Sequence, residues 1–293
     1  MNVFYELYHK MYGNKALFKI NCFLLRSGIE KQMAYYFRTM KSERRKRIYS
    51  ETQSFFNDNS DIVIKNMQLL ADEKSKEVYK ALIDYRGNRM PLNKNIYSLD
   101  DQYFVDEFLK LQDDEVFVDC GAFVGDTINN LLLKADKSNT RIKKIIAFEP
   151  EHENYVLLKK YYANDYRIIP IEAGTSKRNE TMKLVGNSTF ARVVENASDN
   201  GIAVNLRSID DVKECRDATY IKMDIEGSEM DTLIGASETI KRNKPKLAIC
   251  IYHSNIDMLR IIPFVNKLNS SYRLFVRHHS RGTSETVLYA IPE

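Results

Sequence analysis

From residue 115 onward, short apolar runs alternate with stretches of helical character, and this alternation limits the fold more than any other feature. The runs are EVFVDC (115–120), KIIAFE (144–149), YRIIPIEA (166–173), TYIKMDI (219–225) and PKLAICIY (245–252). Continuous apolar runs separated by helices predict a parallel sheet covered on both faces. Two last runs, 272–278 and 285–291, are joined too closely for a crossover helix and should pair antiparallel. Residues 181–211 predict one or two hairpins.

The composition is that of an ordinary globular protein, with 44% apolar and 29% charged residues in a chain of 293. That length suits one large α/β domain with an appendage, or two modest domains. No run of 18 apolar residues occurs, and residues 1–20 carry charges throughout, so we expect neither a membrane span nor a secretory signal. Cys22, Cys120, Cys215 and Cys250 lack metal-type or disulfide spacing, which favours a cytoplasmic location.

The basic charge is concentrated at the start of the chain. Residues 1–50 carry 11 Lys and Arg against three Glu, a net charge of +8 in a chain whose total is +4. The peak, KSERRKR (41–47), is typical of a solvated helix face, or of a surface that binds a phosphorylated substrate, a membrane or nucleic acid. We interpret residues 1–60 as a basic helical extension that ends in a polar linker. Residues 61–293 form the main domain, with its core sheet from 115.

The stretch VFVDCGAFVGDT (116–127) places Asp119, Gly121 and Gly125 where the first strand gives way to a helix. Ligands of doubly wound sheets bind at the carboxyl ends of the strands. Glycines let the backbone approach a ligand closely, and a helix amino terminus presents free N–H groups. A strand–helix turn without a ligand is the alternative interpretation.

The second strand ends in AFEPEHENY, and Glu149 at its tip could accept hydrogen bonds from both hydroxyls of a ribose. A dinucleotide dehydrogenase has GxGxxG at the first strand, where the backbone meets a pyrophosphate. Here the spacing is GxxxG, preceded by an acid that would repel a pyrophosphate and suits a cationic ligand. The pattern therefore favours S-adenosylmethionine.

Five segments in this order resemble an FkbM-family methyltransferase: VFVDCGAFVGDT, AFEPEHENY, YIKMDIEGSEMDTLIGA, LAICIYH and RHHSRGTSETVLYA. The resemblance covers residues 98–293. It implies a class I methyltransferase (Rossmann-like) fold, with six parallel strands and an antiparallel seventh in the order 3-2-1-4-5-7-6. It also implies O-methyl transfer from S-adenosylmethionine, in a family that often acts on sugar hydroxyls of polysaccharide or natural-product pathways.

The resemblance also implies a set of cofactor-binding residues. The motif of the first strand would hold the amino-acid end of the cofactor, Glu149 the ribose, and the tip of the third strand would meet the adenine. Tyr103 could cover the cofactor or simply be a core aromatic. The candidates are Asp119, Gly121, Ala122, Gly125, Asp126, Glu149, Pro150, Glu172, Ala173, Asp224 and Tyr103.

At the end of the fourth strand, KMDIEGSE puts Asp224, Glu226 and Glu229 within six residues. These carboxylates could bind substrate hydroxyls or the cofactor ammonium, act as a general base, or ligate a divalent cation such as Mg²⁺. They could also surround a turn and cap the next helix. Lys222 shares a strand face with Asp224 and could pair with an acid or bind the substrate.

His253 follows the fifth strand and is the candidate general base, because an imidazole can take the proton of an attacking hydroxyl near neutral pH. A strand-end histidine bonded to backbone is the alternative. His278 and His279 flank the final hairpin and are, with Glu226 and Glu229, candidate substrate-binding residues. The candidate catalytic residues are His253, Asp224 and Lys222.

The predicted function is O-methyl transfer to a hydroxyl of a small molecule or glycan. A dehydrogenase is disfavoured by the acid before GxxxG. A nucleic-acid methyltransferase would use the basic amino-terminal segment, but the sequence contains neither an NPPY-like tetrapeptide nor a recognisable nucleic-acid module. A non-catalytic protein of the same fold, which binds an anionic partner through its basic helices, is a further alternative. The amino-terminal helices could also form a homodimer.

Overall fold

The structure is a computed structural model, and it describes residues 42–88, 92–99, 102–185, 192–194 and 202–293. The helices within these ranges are α1 Ser42–Asp58, α2 Ser60–Leu69, α3 Glu73–Asn88, α4 Asp126–Ser138, α5 His152–Tyr161, α6 Glu229–Gly235, α7 Ser237–Asn243 and α8 Asn255–Leu268. The helices predicted before residue 42 lie outside the described residues.

A seven-stranded sheet forms the centre of the molecule. In chain order, its strands are β1 Glu115–Cys120, β2 Ile142–Phe148, β3 Ile168–Ile171, β8 Tyr220–Met223, β9 Lys246–Cys250, β10 Tyr272–His278 and β11 Thr286–Pro292, where β4–β7 belong to a second sheet. The spatial order is β10-β11-β9-β8-β1-β2-β3, and β11 alone runs antiparallel to its neighbours. Both the predicted strand order and the antiparallel last strand are confirmed.

Strand β1 shows why the predicted strands read as continuous apolar runs. Every one of its residues is buried. Val116 and Val118 pack into the core on one face of the sheet, whereas Phe117 packs into the core on the other. Successive side chains of a strand point to opposite faces, so a strand covered on both sides needs apolar residues at nearly every position.

Helices α1–α3 are packed onto the main domain. Phe56 of α1 lies in the same core as β1, and Asn66 of α2 donates a hydrogen bond of 3.0 Å to Tyr79 of α3. Tyr79 donates in turn to the carbonyl of Met258 in α8, at 2.8 Å. The stretch FFNDNSD, predicted as a linker, is therefore the junction of two helices. Its polar residues made it resemble a linker, but Phe56 anchors it in the core.

The segment that leads into β1 differs from its prediction. The pattern of residues 98–111 predicts a helix, but the described parts, 98–99 and 102–111, contain turns and no regular helix. Tyr103 and Phe104 are both buried. Contacts with the sheet determine the conformation of this segment instead of its local sequence pattern, since Tyr220 of β8 donates a hydrogen bond to the carbonyl of Tyr103.

The hairpins predicted between the third and fourth core strands form a small second sheet. Its strands are β4 Gly174–Thr175, β5 Glu180–Val185, β6 Arg192–Val194 and β7 Ile202–Arg207. Strand β5 pairs antiparallel with both β6 and β7. In the described part of the chain, every helix is too short or too polar to cross a lipid bilayer.

Gly235, at the end of α6, is expected to be sensitive to substitution. A Cβ atom there would lie 2.1 Å from the carbonyl oxygen of Ser176, so Gly235→Ala forces backbone to move. We expect the free energy of unfolding to fall by roughly 1–3 kcal/mol, measured by denaturant titration. Gly282→Ala is the matched control, because a Cβ at Gly282 meets nothing within 4 Å and stability should not change. Equal stability of the two variants would contradict this packing.

Candidate functional site

The loop between β1 and α4 depends on two glycines with positive φ angles, +81° at Gly121 and +91° at Gly125. A Cβ atom on Gly121 would lie 2.1 Å from the carbonyl oxygen of Asp224, so only glycine lets this loop pass the end of β8. The amides of Gly121 and Ala122 both donate to the carbonyl of Phe148, at 3.1 and 2.9 Å. The loop is thus held against the tips of β2 and β8, and Asp126 begins α4 directly after it.

Glu149 follows β2 at the same edge of the sheet, and backbone groups hold its carboxylate in place. Its Oε2 accepts a hydrogen bond from the amide of Phe123 at 2.8 Å, and its Oε1 accepts one from the amide of Glu151 at 3.0 Å. Burial raises the pKa of Glu149 to about 7 although these hydrogen bonds oppose the rise. Oε2 keeps a lone pair that a ligand hydroxyl can use, whereas Oε1 also accepts a long hydrogen bond of 3.5 Å from Asn154.

The tip of β3 lies close to this carboxylate. A Cβ atom on Gly174 would come within 3.6 Å of Pro150, which places Pro150 beside the turn after β3. Ala173 in that turn is buried, while Glu172 is partly exposed and its carboxylate lies 2.6 Å from His152 Nδ1. The structure therefore brings together the residues predicted for ribose and adenine.

Asp119 and Lys222 form a buried ion pair beneath the glycine loop. They are register partners on the neighbouring strands β1 and β8, and their Oδ1 and Nζ atoms lie 3.0 Å apart. Lys222 also donates to the carbonyl of Gly121 at 2.8 Å. Burial raises the pKa of Asp119 to about 6 against the opposing effect of Lys222, so both partners are charged at pH 7.

Because the Lys222 ammonium contacts both Asp119 and the carbonyl of Gly121, Lys222 supports the loop. Asp119 itself is fully buried, and neither of its oxygens has a hydrogen bond of good geometry within the described residues.

A second cluster of charged side chains joins the tips of β8 and β9. His253 Nδ1 lies 2.9 Å from Glu229 Oε1, and its Nε2 lies 3.5 Å from Asp224 Oδ1 and 3.6 Å from Glu226 Oε2. Burial lowers the pKa of His253, but the charges of the three carboxylates outweigh burial and raise it to about 9. The imidazole of His253 is therefore protonated at neutral pH.

The carboxylates of the cluster differ in their surroundings. Burial raises the pKa of Asp224, but Lys222 and His253 outweigh burial, and the net shift is downward. Glu229 is fully buried and accepts a hydrogen bond of 3.0 Å from the amide of Ile225. Glu226 keeps 39% of its side chain exposed and stands at the rim, on backbone with a φ of +55°.

Two tyrosines hold Asp224 in place. Tyr103 donates a hydrogen bond of 2.7 Å to Oδ2, and Tyr252 donates one of 3.1 Å to Oδ1. Tyr103 is buried, so it contacts the site from below the sheet tips. Tyr252 was not among the residues predicted from the sequence, although its position directly before His253 at the end of β9 would have indicated it.

The predicted histidines of the last hairpin lie elsewhere. His278 is buried, and its ring nitrogens lie 2.9 Å from Thr286 Oγ1 and 3.0 Å from the carbonyl of Gly282. Burial lowers the pKa of His278 to about 4, so this ring is neutral. His279 Nε2 lies 2.8 Å from the hydroxyl of Tyr289. Both rings bond within the β10–β11 hairpin, whereas His253 contacts the carboxylates.

An open groove of about 580 Å³ lies at the other end of the sheet, beside the amino ends of β2 and β3. It is lined by Arg141, Lys143, Tyr166 and Arg167, among others. Ligands of such sheets bind outside the carboxyl ends of the strands, so we place the functional site at the glycine loop and the carboxylate cluster instead.

Comparison with known proteins identifies the family of this chain. The family model of the FkbM methyltransferase domain matches residues 119–274, more than half of the chain and the part that carries both clusters. The chain belongs to the FkbM methyltransferase family. Methyltransferase FkbM from Methylobacillus flagellatus KT is 26% identical, with a TM-score of 0.67 over 81% of this chain. This chain spans 60% of the length of that protein.

More distant solved structures resemble this FkbM family member less closely. An rRNA methylase from Streptococcus thermophilus is 13% identical, with a TM-score of 0.40 over 62% of this chain and 89% of its own. Fibrillarin from Aeropyrum pernix, solved with S-adenosyl-L-methionine, is 12% identical, with a TM-score of 0.34 over 62% of this chain and 69% of its own. A search of curated proteins found no significant match.

Substitution of Lys222 tests the structural role of its buried ion pair with Asp119. Lys222→Met leaves the Asp119 carboxylate buried without its partner, and we expect the free energy of unfolding to fall by roughly 3–5 kcal/mol. Asp119→Asn in the same chain should restore part of that loss, because no uncompensated charge remains. Lys143→Met is the control, since its ion pair with Asp217 is exposed and should contribute nothing measurable. A single variant as stable as the control would contradict a structural role for the pair.

Proposed function

We propose that the protein is an S-adenosylmethionine-dependent O-methyltransferase that acts on a hydroxyl of a sugar, a polysaccharide precursor or a natural product. The observation that carries this proposal is the juxtaposition, at one edge of the sheet, of the glycine loop, the backbone-held carboxylate of Glu149 and the carboxylate cluster around His253. Family membership supports the methyl-transfer class, and the choice of oxygen as acceptor rests on the acidic cluster.

The residues at this edge fit the parts of S-adenosylmethionine. Glu149 Oε2 has a lone pair free for a ribose hydroxyl, and Pro150, Glu172 and Ala173 lie beside it for the adenine. The amino-acid end would be held by the glycine loop. We assign to that end Gly121, Ala122, Gly125 and Asp126, together with Asp224 and Tyr103 from across the loop, whereas Asp119 is buried against Lys222 and supports the loop. When bound, the cofactor supplies a methyl group made electrophilic by its sulfonium charge.

Charge supports a cationic cofactor over a pyrophosphate. The edge carries Glu149, Asp224, Glu226 and Glu229, while the buried Lys222 is already paired with Asp119. An anionic ligand would meet this surplus of carboxylates, whereas a sulfonium and an ammonium are attracted by it. We assign Lys222 as a positioning residue that acts through the glycine loop.

The acceptor hydroxyl is proposed to approach the cluster from the exposed side of Glu226. Ionised carboxylates accept hydrogen bonds from sugar hydroxyls, and Asp224 is ionised and held in place by two tyrosines. We assign His253 as the base that accepts the proton of the attacking hydroxyl. The ring can do so only after it has lost the proton that it carries itself at neutral pH. His279, which is partly exposed, remains a proposed substrate contact, whereas His278 is buried with both ring nitrogens bonded and holds the hairpin together instead.

Most of the rate should come from holding the acceptor oxygen in line with the methyl group, with proton transfer as a smaller contribution. The hydrogen-bonded Tyr103–Asp224–Tyr252 arrangement provides the rigid surface that such positioning needs. The extension of residues 1–60 is proposed as a substrate or dimer module beside the domain of 61–293. The free and buried Cys120, Cys215 and Cys250 support the proposed cytoplasmic location.

Binding of S-adenosylhomocysteine tests the cofactor assignment. At a hundred times its dissociation constant, the ligand should stabilise the protein by about 2.7 kcal/mol in thermal melting, whereas NAD should not. Ribose hydroxyls donate to the ionised form of Glu149, whose pKa is about 7 in the free protein. Affinity should therefore rise roughly tenfold between about pH 6 and pH 8, as the ionised fraction grows.

Glu149→Gln should lower the affinity for S-adenosylhomocysteine and abolish its pH dependence. Glu153→Gln, on the exposed side of α5, is the matched control and should bind like the wild type. Absence of any stabilisation by the adenosyl ligand would remove the methyltransferase proposal and favour a non-catalytic binding role for the basic helices.

The acceptor class is tested with ¹³C-methyl S-adenosylmethionine and a panel of sugars, amino sugars and RNA. We expect methylation of sugar oxygens, located in the products by NMR. His253→Gln should lower kcat by about a hundredfold or more without weakening S-adenosylhomocysteine binding. Glu238→Gln, exposed on α7, should leave kcat unchanged. Transfer only to nitrogen or only to RNA would overturn the O-methyl assignment.

A further inference from the structure

Three side chains from two segments converge at the tips of β8 and β9. Asp224 follows β8, Glu229 begins α6, and His253 follows β9. Each offers one ligand atom, and these atoms all lie within 4.8 Å of one another. Such spacing is that of donor atoms around one metal ion, and the pairing of β8 with β9 brings His253 to the two carboxylates of the KMDIEGSE motif.

The cluster contains buried polar atoms without hydrogen-bond partners. His253 has only 8% of its side chain exposed, and neither of its ring nitrogens makes a hydrogen bond within the described residues. Its Nδ1 lies 2.9 Å from Glu229 Oε1, but the direction of that contact is wrong for a hydrogen bond. Glu229 is fully buried, and its Oε2 also has no hydrogen-bond partner within the described residues. Buried polar atoms left in this way are costly and call for a ligand.

The charge balance points to a cation. Three carboxylates, from Asp224, Glu226 and Glu229, face a single imidazole, and Lys222 pairs with Asp119 on the neighbouring strand. A proton on His253 offsets one negative charge, whereas a divalent cation offsets two and uses the lone pair of the ring as well. The ion would therefore replace the proton rather than add to it.

We propose that Asp224, Glu229 and His253 form a binding site for a divalent transition-metal cation such as Mn²⁺. Two carboxylates and one imidazole are a mixed donor set, better suited to Mn²⁺ or a similar ion than to Mg²⁺, which prefers oxygen donors alone. Three protein ligands leave coordination positions open, and Glu226 stands at the exposed rim of the site. The sequence alone indicates Asp224, Glu226 and Glu229 as candidate ligands of a divalent cation. In the structure, His253 is the third ligand in place of Glu226.

The role of the cation rests on the proposed methyl transfer. At this position it would hold the acceptor hydroxyl and lower the pKa of that hydroxyl, so that its proton passes to solvent at the exposed rim rather than to His253. The two roles of His253 exclude each other, because a ring nitrogen bound to a cation cannot also receive a proton.

The test uses the full chain, stripped of metal with a chelator and titrated with Mn²⁺ while the free ion is followed by electron paramagnetic resonance. We expect one bound ion per chain. Glu229→Gln and His253→Asn should each weaken binding at least tenfold. Asp231→Asn, two residues further along α6 and partly exposed in its pair with Lys177, should bind like the wild type.

Circular dichroism and thermal melting without metal show whether the variants fold. Two variants are used so that the test still stands if one of them does not fold. Absence of a stoichiometric ion in the wild type, or undiminished binding in both folded variants, would overturn the inference. Binding of S-adenosylhomocysteine to the metal-free wild type separates this outcome from failure of the proposed function. If that ligand binds and Mn²⁺ does not, the cation site falls and the methyltransferase assignment stands.

Discussion

The buried pair of Asp119 and Lys222 is the interaction on which the site depends. It joins β1 to β8 at matching register, and the same ammonium holds the carbonyl of Gly121. Taking two charges out of water is costly, and the cost is offset only when the partners and their hydrogen bonds are well placed. The pair therefore specifies one arrangement of two strand tips and the glycine loop, and it is a weak source of stability in itself.

The opposite end of β1 is anchored by a similar pair. Glu115 Oε2 lies 2.7 Å from Lys246 Nζ of β9, and Glu115 also accepts a hydrogen bond from Thr219, just before β8. Charged partners at both ends of β1 make its position relative to β8 and β9 hard to shift by one residue. A shift would move both carboxylates to the wrong face, because successive side chains of a strand alternate.

An excess of carboxylates gives the edge of the sheet its chemical character. Desolvation would neutralise isolated acids, but here neighbouring cations and tyrosine hydroxyls keep Asp224 ionised. The same surplus raises the pKa of His253 to about 9. A site of this kind attracts positive ligands, which is the common physical basis of the proposals for a sulfonium cofactor and for a metal ion.

The sequence by itself determined the antiparallel last strand and the clustering of Gly121, Glu149 and Asp224, and the resemblance of its motifs to the FkbM family implied the strand order. Apolar runs define the strands, and carboxyl ends of parallel strands meet at one edge whatever the details of packing. Only the tertiary structure decided the turns of residues 102–111, the burial of His278 and the charge of His253. These depend on neighbours that are distant along the chain, and the electrostatic environment of a group is the sum over those neighbours, which no local pattern records.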